Sequence, residues 1–201
     1  MSEKYNDCDV VIRPAKQEDM PAVADMIQVR LTTLEHLGAF LHSKIHIIFP
    51  QWELADFEKL PDGPKLSVKD LVRDGFGCDP PAFRCIVAEL KNKENKPVVG
   101  YALYFPTYST WQGKSMMMED LYVRSSERKH GIGGKLFQAV AKEAFSSGCS
   151  RLEFHVLEWN DARCFYERRG ALNLTHSEQW CYYRLTGEAL EKAAQDYNTN
   201  E

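Results

Sequence analysis

Seven consecutive residues, Arg128, Lys129, His130, Gly131, Ile132, Gly133 and Gly134, have the types and spacing to hold an anion. Glycine lets a backbone approach a ligand closely, and free N–H groups opening a helix beside a basic residue suit the charge of a pyrophosphate. The run is not a P-loop, which needs Gly-x-x-x-x-Gly-Lys-Ser/Thr. Nor is it the dinucleotide fingerprint, which needs a third glycine where Leu136 stands. A second group is Glu119-Asp120, the acidic pair that follows a run of methionines and can attract a cation or take its proton. A third is Tyr166 in CFYERRG, a phenol whose ordinary pKa of ~10 keeps it protonated and able to donate at neutral pH. Each also has a plain structural reading: a glycine-softened turn, a solvated acidic pair, a packing tyrosine.

These residues must be positioned by the elements around them. Residues 9–14 (DVVIRP) predict a strand, and Ala22, Val23, Met26 and Ile27 recur at helical spacing behind Asp19, a possible cap. A short helical piece in WELADFEKL and a helix capped by Ser67 and stopped at Gly75 and Gly77 come next. FRCIVAEL, PVVGYALYFPTY and KSMMMEDLYVRS, separated by polar turns, predict an antiparallel meander. From Gly131 the pattern turns helical, with Leu136, Phe137, Val140, Ala141 and Ala144 on one face until Gly148. SRLEFHVLEW predicts a strand, DARCFYERRG a short helix closed by Gly170, and QWCYYRLTG a last strand before a polar tail helix. The order β-α-α-β-β-β-α-β-α-β is an α/β fold.

Composition narrows the function. The 201 residues, 27% charged and 44% hydrophobic, suffice for one core, so a single domain is expected. A net charge of −4 argues against nucleic-acid binding through broad electrostatics. The polar N-terminus does not read as a secretory signal, and no stretch approaches the ~20 apolar residues of a membrane span. Six cysteines without a Cys-x-x-Cys pair read as reduced thiols in the cytosol.

LVRDGFG, PVVGYALYFPTYSTW, MEDLYV, the Gly-x-Gly loop, LEWN, FYERRGA and EQW, in that order, resemble the GNAT superfamily of N-acetyltransferases and within it the diamine acetyltransferases. ELADFEKL and YSTW resemble the thialysine branch more than the spermidine/spermine branch, which has an aspartate where Ser109 stands. The resemblance covers nearly the whole chain and implies a mixed, mostly antiparallel sheet flanked by helices. It also implies acetyl-CoA as co-substrate with no metal, a small cationic amine as acceptor, and a cytoplasmic homodimer without nucleic-acid or membrane partners. Direct transfer in a ternary complex is expected, thialysine first and polyamines more weakly. A protein lysine acetyltransferase and a catalytically impaired acetyl-CoA-binding isoform stand as alternatives.

The resemblance also carries roles. The seven-residue loop would grip the pyrophosphate. Leu121, Tyr122 and Val123 would offer backbone N–H groups to the pantetheine arm and thioester oxygen, on a bulged strand. Asn160, Asp161, Ala162 and Arg163 would continue the cofactor contact. Tyr166 would protonate the leaving thiolate, and Glu119 would act on the amine as base or as electrostatic anchor. A primary ammonium with a pKa of ~10.4 leaves about one molecule in a thousand ready to attack at neutral pH, so carboxylates must gather the cation. Phe57, Glu58, Glu153, Phe154, His155 and Glu178 correspond to further amine contacts. Asn160 and Tyr166 stand one residue closer than in the family, which would either displace the acid or tighten the loop.

Residues 28–51 have no counterpart in the family pattern and read as an insertion that interrupts the first helix. Its His36, His42 and His46 could ligate a metal, but no full ligand set is evident beside them, the segment reads as a surface excursion, and no metal is expected.

Overall fold

The meander forms as its alternation requires. In the computed structural model, which describes residues 9–27, 66–175, 177–178 and 181–195, three antiparallel strands run β2 (Arg84–Leu90), β3 (Val98–Ser109) and β4 (Gly113–Val123). β1 (Val10–Pro14) pairs antiparallel with β2, and β5 (Arg151–Glu153) pairs parallel with β4, giving a five-stranded mixed sheet in the order β1-β2-β3-β4-β5. The residues read as an insertion, 28–51, with their three histidines, and Phe57 and Glu58, lie outside the described residues.

The helices are α1 (Met20–Ile27), α2 (Val68–Phe76), α3 (Ile132–Ser146), α4 (Arg163–Glu167) and α5 (Gly187–Gln195) among the described residues. The chain divides into two compact units, Met1–His155 and Val156–Glu201.

In the first unit, one sheet face packs against α1 and α2. Tyr101, Leu103 and Tyr122 meet Met20, Val23, Ala24, Met26 and Leu71 there. The other face receives α3 through Leu136, Val140 and Ala144 of the predicted face, joined by Ile132, while Phe137 and Ala141 are half-buried at its margin. Gly100 permits this contact. A Cβ there would sit 2.8 Å from the Tyr122 carbonyl oxygen and 3.2 Å from Leu136 Cδ1.

Ser67 caps α2 as expected, accepting from the Asp70 N–H while the Asp70 carboxylate accepts from the Ser67 N–H at 2.9 Å. Gly75 lies inside α2, and the helix stops at Gly77 alone. Asp19 acts differently from a helix N-cap. It ends a 3-10 turn (Gln17–Asp19), accepts from the Lys16 N–H at 2.7 Å, and takes two guanidinium bonds from Arg13 at 2.6 and 2.9 Å. Arg13 also donates to Glu89 at 2.7 and 2.9 Å, so one guanidinium ties β1, β2 and the start of α1 together.

Two expected strands come out differently. SRLEFHVLEW keeps only Arg151–Glu153 in the sheet, because β4 stops running parallel to it at Met117. Residues 181–186 of QWCYYRLTG have no regular structure, and Gln179 and Trp180 lie outside the described residues. The period-two pattern is present there, but a strand also needs a ladder partner, and none pairs with 181–186 among the described residues.

Candidate active site

β4 is the element on which the predicted amine and thioester residues meet. From Gly113 to Met118 it stays in register with β3, and from Asp120 to Val123 it does so again. Between them, Leu103 faces Asp120 and Tyr104 faces Met118, so Glu119 is an extra, unpaired residue: a β-bulge. Its side chain is exposed. The resemblance implied a bulge at the Leu121-Tyr122-Val123 segment, and the structure places it two residues earlier. Those three residues pair in register with Ala102, Tyr101 and Gly100.

The bulge also accounts for the short β5. The parallel pairs are Ser115 with Arg151, Met116 with Leu152 and Met117 with Glu153; two residues further on β4 bulges and the ladder ends. In an antiparallel pair, alternate residues turn their backbone groups away from the partner strand. Half of the amides from Met118 to Val123 therefore point away from β3 along a stretch that β5 does not pair, the arrangement a thioester oxygen would need.

Of the residues expected around the amine, Glu153 stands opposite Met117 and so near the point where the strands part. It is half-buried and bonded to Arg151 at 3.1 Å. Phe154 turns to the other sheet face and packs edge-on against Phe137 of α3, with ring centroids 5.8 Å apart. His155 is exposed. Alternation along the chain thus separates three residues that the resemblance grouped.

The anion loop is built as a cradle. A 3-10 turn (Ser125–Glu127) leads into it, held by an Arg124–Asp25 ion pair at 2.9 Å and by Lys93 on the nearly buried Glu127 carboxylate at 3.1 Å. Arg128 donates its Nε to the Val123 carbonyl at 2.9 Å and lies over the Tyr122 ring, which fixes the guanidinium at the strand's end. His130 Nδ1 lies 3.3 Å from the Glu127 carbonyl oxygen. Lys129 and Gly131 both have positive φ, 66° and 80°. Gly131 precedes the first turn of α3, whose first intrahelical bond runs from the Lys135 N–H to the Gly131 carbonyl. The amides of Ile132, Gly133 and Gly134 come before that bond and emerge at the positive end of the helix dipole. A Cβ on Gly131 would meet nothing within 4 Å, and one on Gly133 only Val123 Cγ2 at 3.8 Å. The glycines keep that space open, so the residues present fit a pyrophosphate.

In the second unit, the Asn160 turn is tight. Asn160 Oδ1 accepts from the Ala162 N–H at 2.8 Å and its carbonyl from the Arg163 N–H at 3.1 Å, while its own N–H donates to the Leu157 carbonyl at 2.9 Å. The turn runs into α4 without slack. Asp161 is exposed; Ala162 and Arg163 are half-buried. Tyr166 is the only buried residue among the described residues of this unit. Burial pushes its phenol up to about 12, with Arg169 pulling the other way. Glu178 is exposed.

One residue escaped the sequence reading, and a second has a role there that the sequence did not show. Tyr101 is fully buried, directly opposite Tyr122, and donates its hydroxyl to Asp120 at 3.0 Å. The signal was faint: a tyrosine in a strand core beside an acidic pair. Ser109, read as a discriminator between branches, accepts from the Trp111 and Gln112 N–H groups at 3.2 Å and so closes the β3–β4 turn. A pocket of about 320 Å³ at the other end of β3 and β4, lined by Arg84, Tyr104, Tyr108, Lys114 and Cys149 among others, includes none of the predicted site residues. No cluster of three or more His, Cys, Asp or Glu suited to a metal occurs among the described residues, and no helix among them is long and apolar enough to cross a membrane.

Comparison with known proteins agrees with this architecture. The family model described as "Acetyltransferase (GNAT) family" matches residues 48–171. Thialysine N-epsilon-acetyltransferase of Bos taurus is 44% identical over 147 residues, which is 71% of this chain and 86% of that protein. Spermidine/spermine N(1)-acetyltransferase-like protein 1 of Homo sapiens is 39% identical over 143 residues, 69% of this chain and 20% of that protein. Among solved structures, an integron cassette protein from the mobile metagenome of V. cholerae superposes with a TM-score of 0.62 at 24% identity, covering 93% of this chain and 98% of that one. That last likeness concerns architecture only; the identity to the bovine protein reaches across most of both chains, and on it the chain belongs to the acetyltransferase (GNAT) family.

Proposed function

We propose that the protein transfers the acetyl group of acetyl-CoA to a primary amine of a small cationic substrate, thialysine first and the polyamines spermidine, spermine and norspermidine more weakly. The observation that carries this reading is the 44% identity to the bovine thialysine enzyme over 86% of its length. The exposed carboxylate at the β4 bulge supports it.

Acetyl-CoA, when bound, supplies the acetyl group as a thioester. Arg128 to Gly134 hold its pyrophosphate through the open amides of α3, and Asn160 to Arg163 continue the grip. The outward amides among Leu121, Tyr122 and Val123 hold the thioester oxygen. Glu119 draws in the ammonium and, as base or anchor, prepares a neutral nitrogen; Glu153 and Glu178 add negative charge for the same cation. Tyr166 gives its proton to the departing sulfur. With a pKa near 12 it stays protonated throughout the neutral range, and it is a weaker acid than an ordinary phenol, so Arg169, which lowers that value, helps the donation. Direct transfer is favoured over a cysteine intermediate, because no cysteine stands beside an obvious histidine partner in the sequence; burial also pushes the Cys85 thiol up to about 12, which makes that one a poor nucleophile. A cytoplasmic homodimer, as in the family, completes the reading.

The test is steady-state release of CoA thiol with thialysine, spermidine or lysine as acceptor. Turnover is expected to be highest on thialysine and to fall by about 10²-fold or more in Tyr166→Phe. Preference for spermidine would move the protein to the polyamine branch. Turnover unchanged in Tyr166→Phe would remove the acid.

A further inference from the structure

We propose that the hydrogen bond from Tyr101 to Asp120 selects which of two adjacent carboxylates β4 presents at its bulge, which makes Tyr101 a positioning residue for Glu119. The inference rests on the role given to Glu119 above. Glu119 and Asp120 are neighbours, and one register step decides between them. As built, Leu103 faces Asp120 and Glu119 is the extra residue. If the bulge slid by one position, Leu103 would face Glu119, and Asp120 would be extruded in its place. Every other pair, from Gly100–Val123 to Ala102–Leu121 and from Tyr104–Met118 onward, would stay the same. As built, Glu119 is exposed and Asp120 half-buried. Because the flanking pairs are the same in both arrangements, hydrophobic patterning there does not choose between them.

Tyr101 breaks the tie. It is fully buried on the α1/α2 face, directly opposite Tyr122, with the two rings tilted at 6.4 Å. From there its hydroxyl reaches the diagonal neighbour, Asp120, at 3.0 Å. A phenol of fixed length on a fixed ring suits the short aspartate side chain; a glutamate in the same place would carry one more methylene into a packed layer. An inward carboxylate also needs a donor to offset its burial, and Tyr101 supplies one. The outward glutamate then keeps a single position beside the stretch of β4 that β5 leaves unpaired.

Tyr101→Phe keeps the ring and removes only the donor. A crystal structure of this variant is expected to have Asp120 as the unpaired residue, or both registers occupied; a bulge that stays wholly at Glu119 overturns the proposal whatever the activity. In kinetics with saturating acetyl-CoA, Tyr101→Phe is expected to lower kcat on the amine by about tenfold, since a small misplacement of a reacting group is costly, with KM for acetyl-CoA within twofold. In a Glu119→Gln background the same change should cost less than twofold, and an equal loss in both backgrounds means a merely structural role and overturns it. Asp120→Asn, which still accepts the phenol's bond, should retain more kcat than Asp120→Ala. The single variant Glu119→Gln reports separately on the underlying reading: full kcat there removes the role of Glu119 itself, and the crystallographic register still decides what Tyr101 selects.

Discussion

The two outer edges of the sheet are built in opposite ways. At one edge, all five residues of β1 pair with β2, and the Arg13 guanidinium fastens the strands to the first helix through Asp19 and Glu89. At the other, β5 contributes three pairs and parts from β4 just before the Glu119 bulge. The closed edge invests its charged side chains in one another. The parted edge leaves a carboxylate exposed and backbone amides unpaired with β5, groups that can act on something else. Charge thus ties the strands together at the closed edge, while at the bulge of the parted edge one carboxylate, Glu119, stays exposed.

If that division holds, changes at the parted edge should alter rate without stability. The largest effect is expected for Glu119→Gln: a fall of about 10²- to 10³-fold in kcat/KM for the amine, with a thermal midpoint within a degree or two of the parent. Calorimetry and CoA-release kinetics on one preparation check both halves, and a large loss of stability would break the contrast. Arg13→Met tests the closed edge in the converse way. It strands two carboxylates that are mostly covered, and unfolding in denaturant should register a loss of about 2–3 kcal/mol, below the range for fully buried pairs because the site is partly wet. Protein that remains folded should turn over at the parent rate. Gly100→Ala, between the edges, should cost about 1–3 kcal/mol by pressing a methyl group against the Tyr122 carbonyl and α3, read as a lower midpoint in the same denaturant.

Much of this architecture was legible because it is local. The meander, the buried stripe of α3, the Ser67 cap and the short helix Arg163–Glu167, followed by the positive-φ Gly170, each follow from side-chain period or from a capping residue a few positions away. What was not legible depends on partners distant in sequence. The bulge leaves no mark in composition, since a glutamate is as ordinary on the outer face of a regular strand as at an extra residue. The length of β5 is decided by where β4 bends, thirty-odd positions earlier, and its own apolar run gives no hint of it. Cys181, Tyr183 and Leu185 alternate as a strand would, yet alternation specifies only which way side chains point and says nothing of a neighbouring ladder. Asp19 was read as a helix cap from position alone, while its principal partner proves to be a guanidinium on β1. The candidate site divides the same way: the glycine loop could be read from sequence, and the Tyr101–Asp120 contact could not.

The smallest effect, and the finest test of the closed edge, is its response to acid. The Arg13 hydrogen bonds hold the Asp19 carboxyl below its ordinary value, aided by the Lys16 N–H and opposed by burial. A carboxyl lowered on folding contributes stability that is present above its unfolded pKa of ~3.9 and is lost as pH falls through the lower folded value. In Arg13→Met the main lowering cause is gone, while burial remains and the Lys16 bond offsets only part of it, so the folded carboxyl should shift upward. Protonation then relieves the variant as it weakens the parent. The stability gap between the two proteins should accordingly be widest near neutrality and narrow as pH drops below 4. Denaturant midpoints measured from pH 7 to pH 3 check this; a gap that stays constant across that range would mean that Arg13 stabilises the edge by packing its stem rather than by pairing its charge.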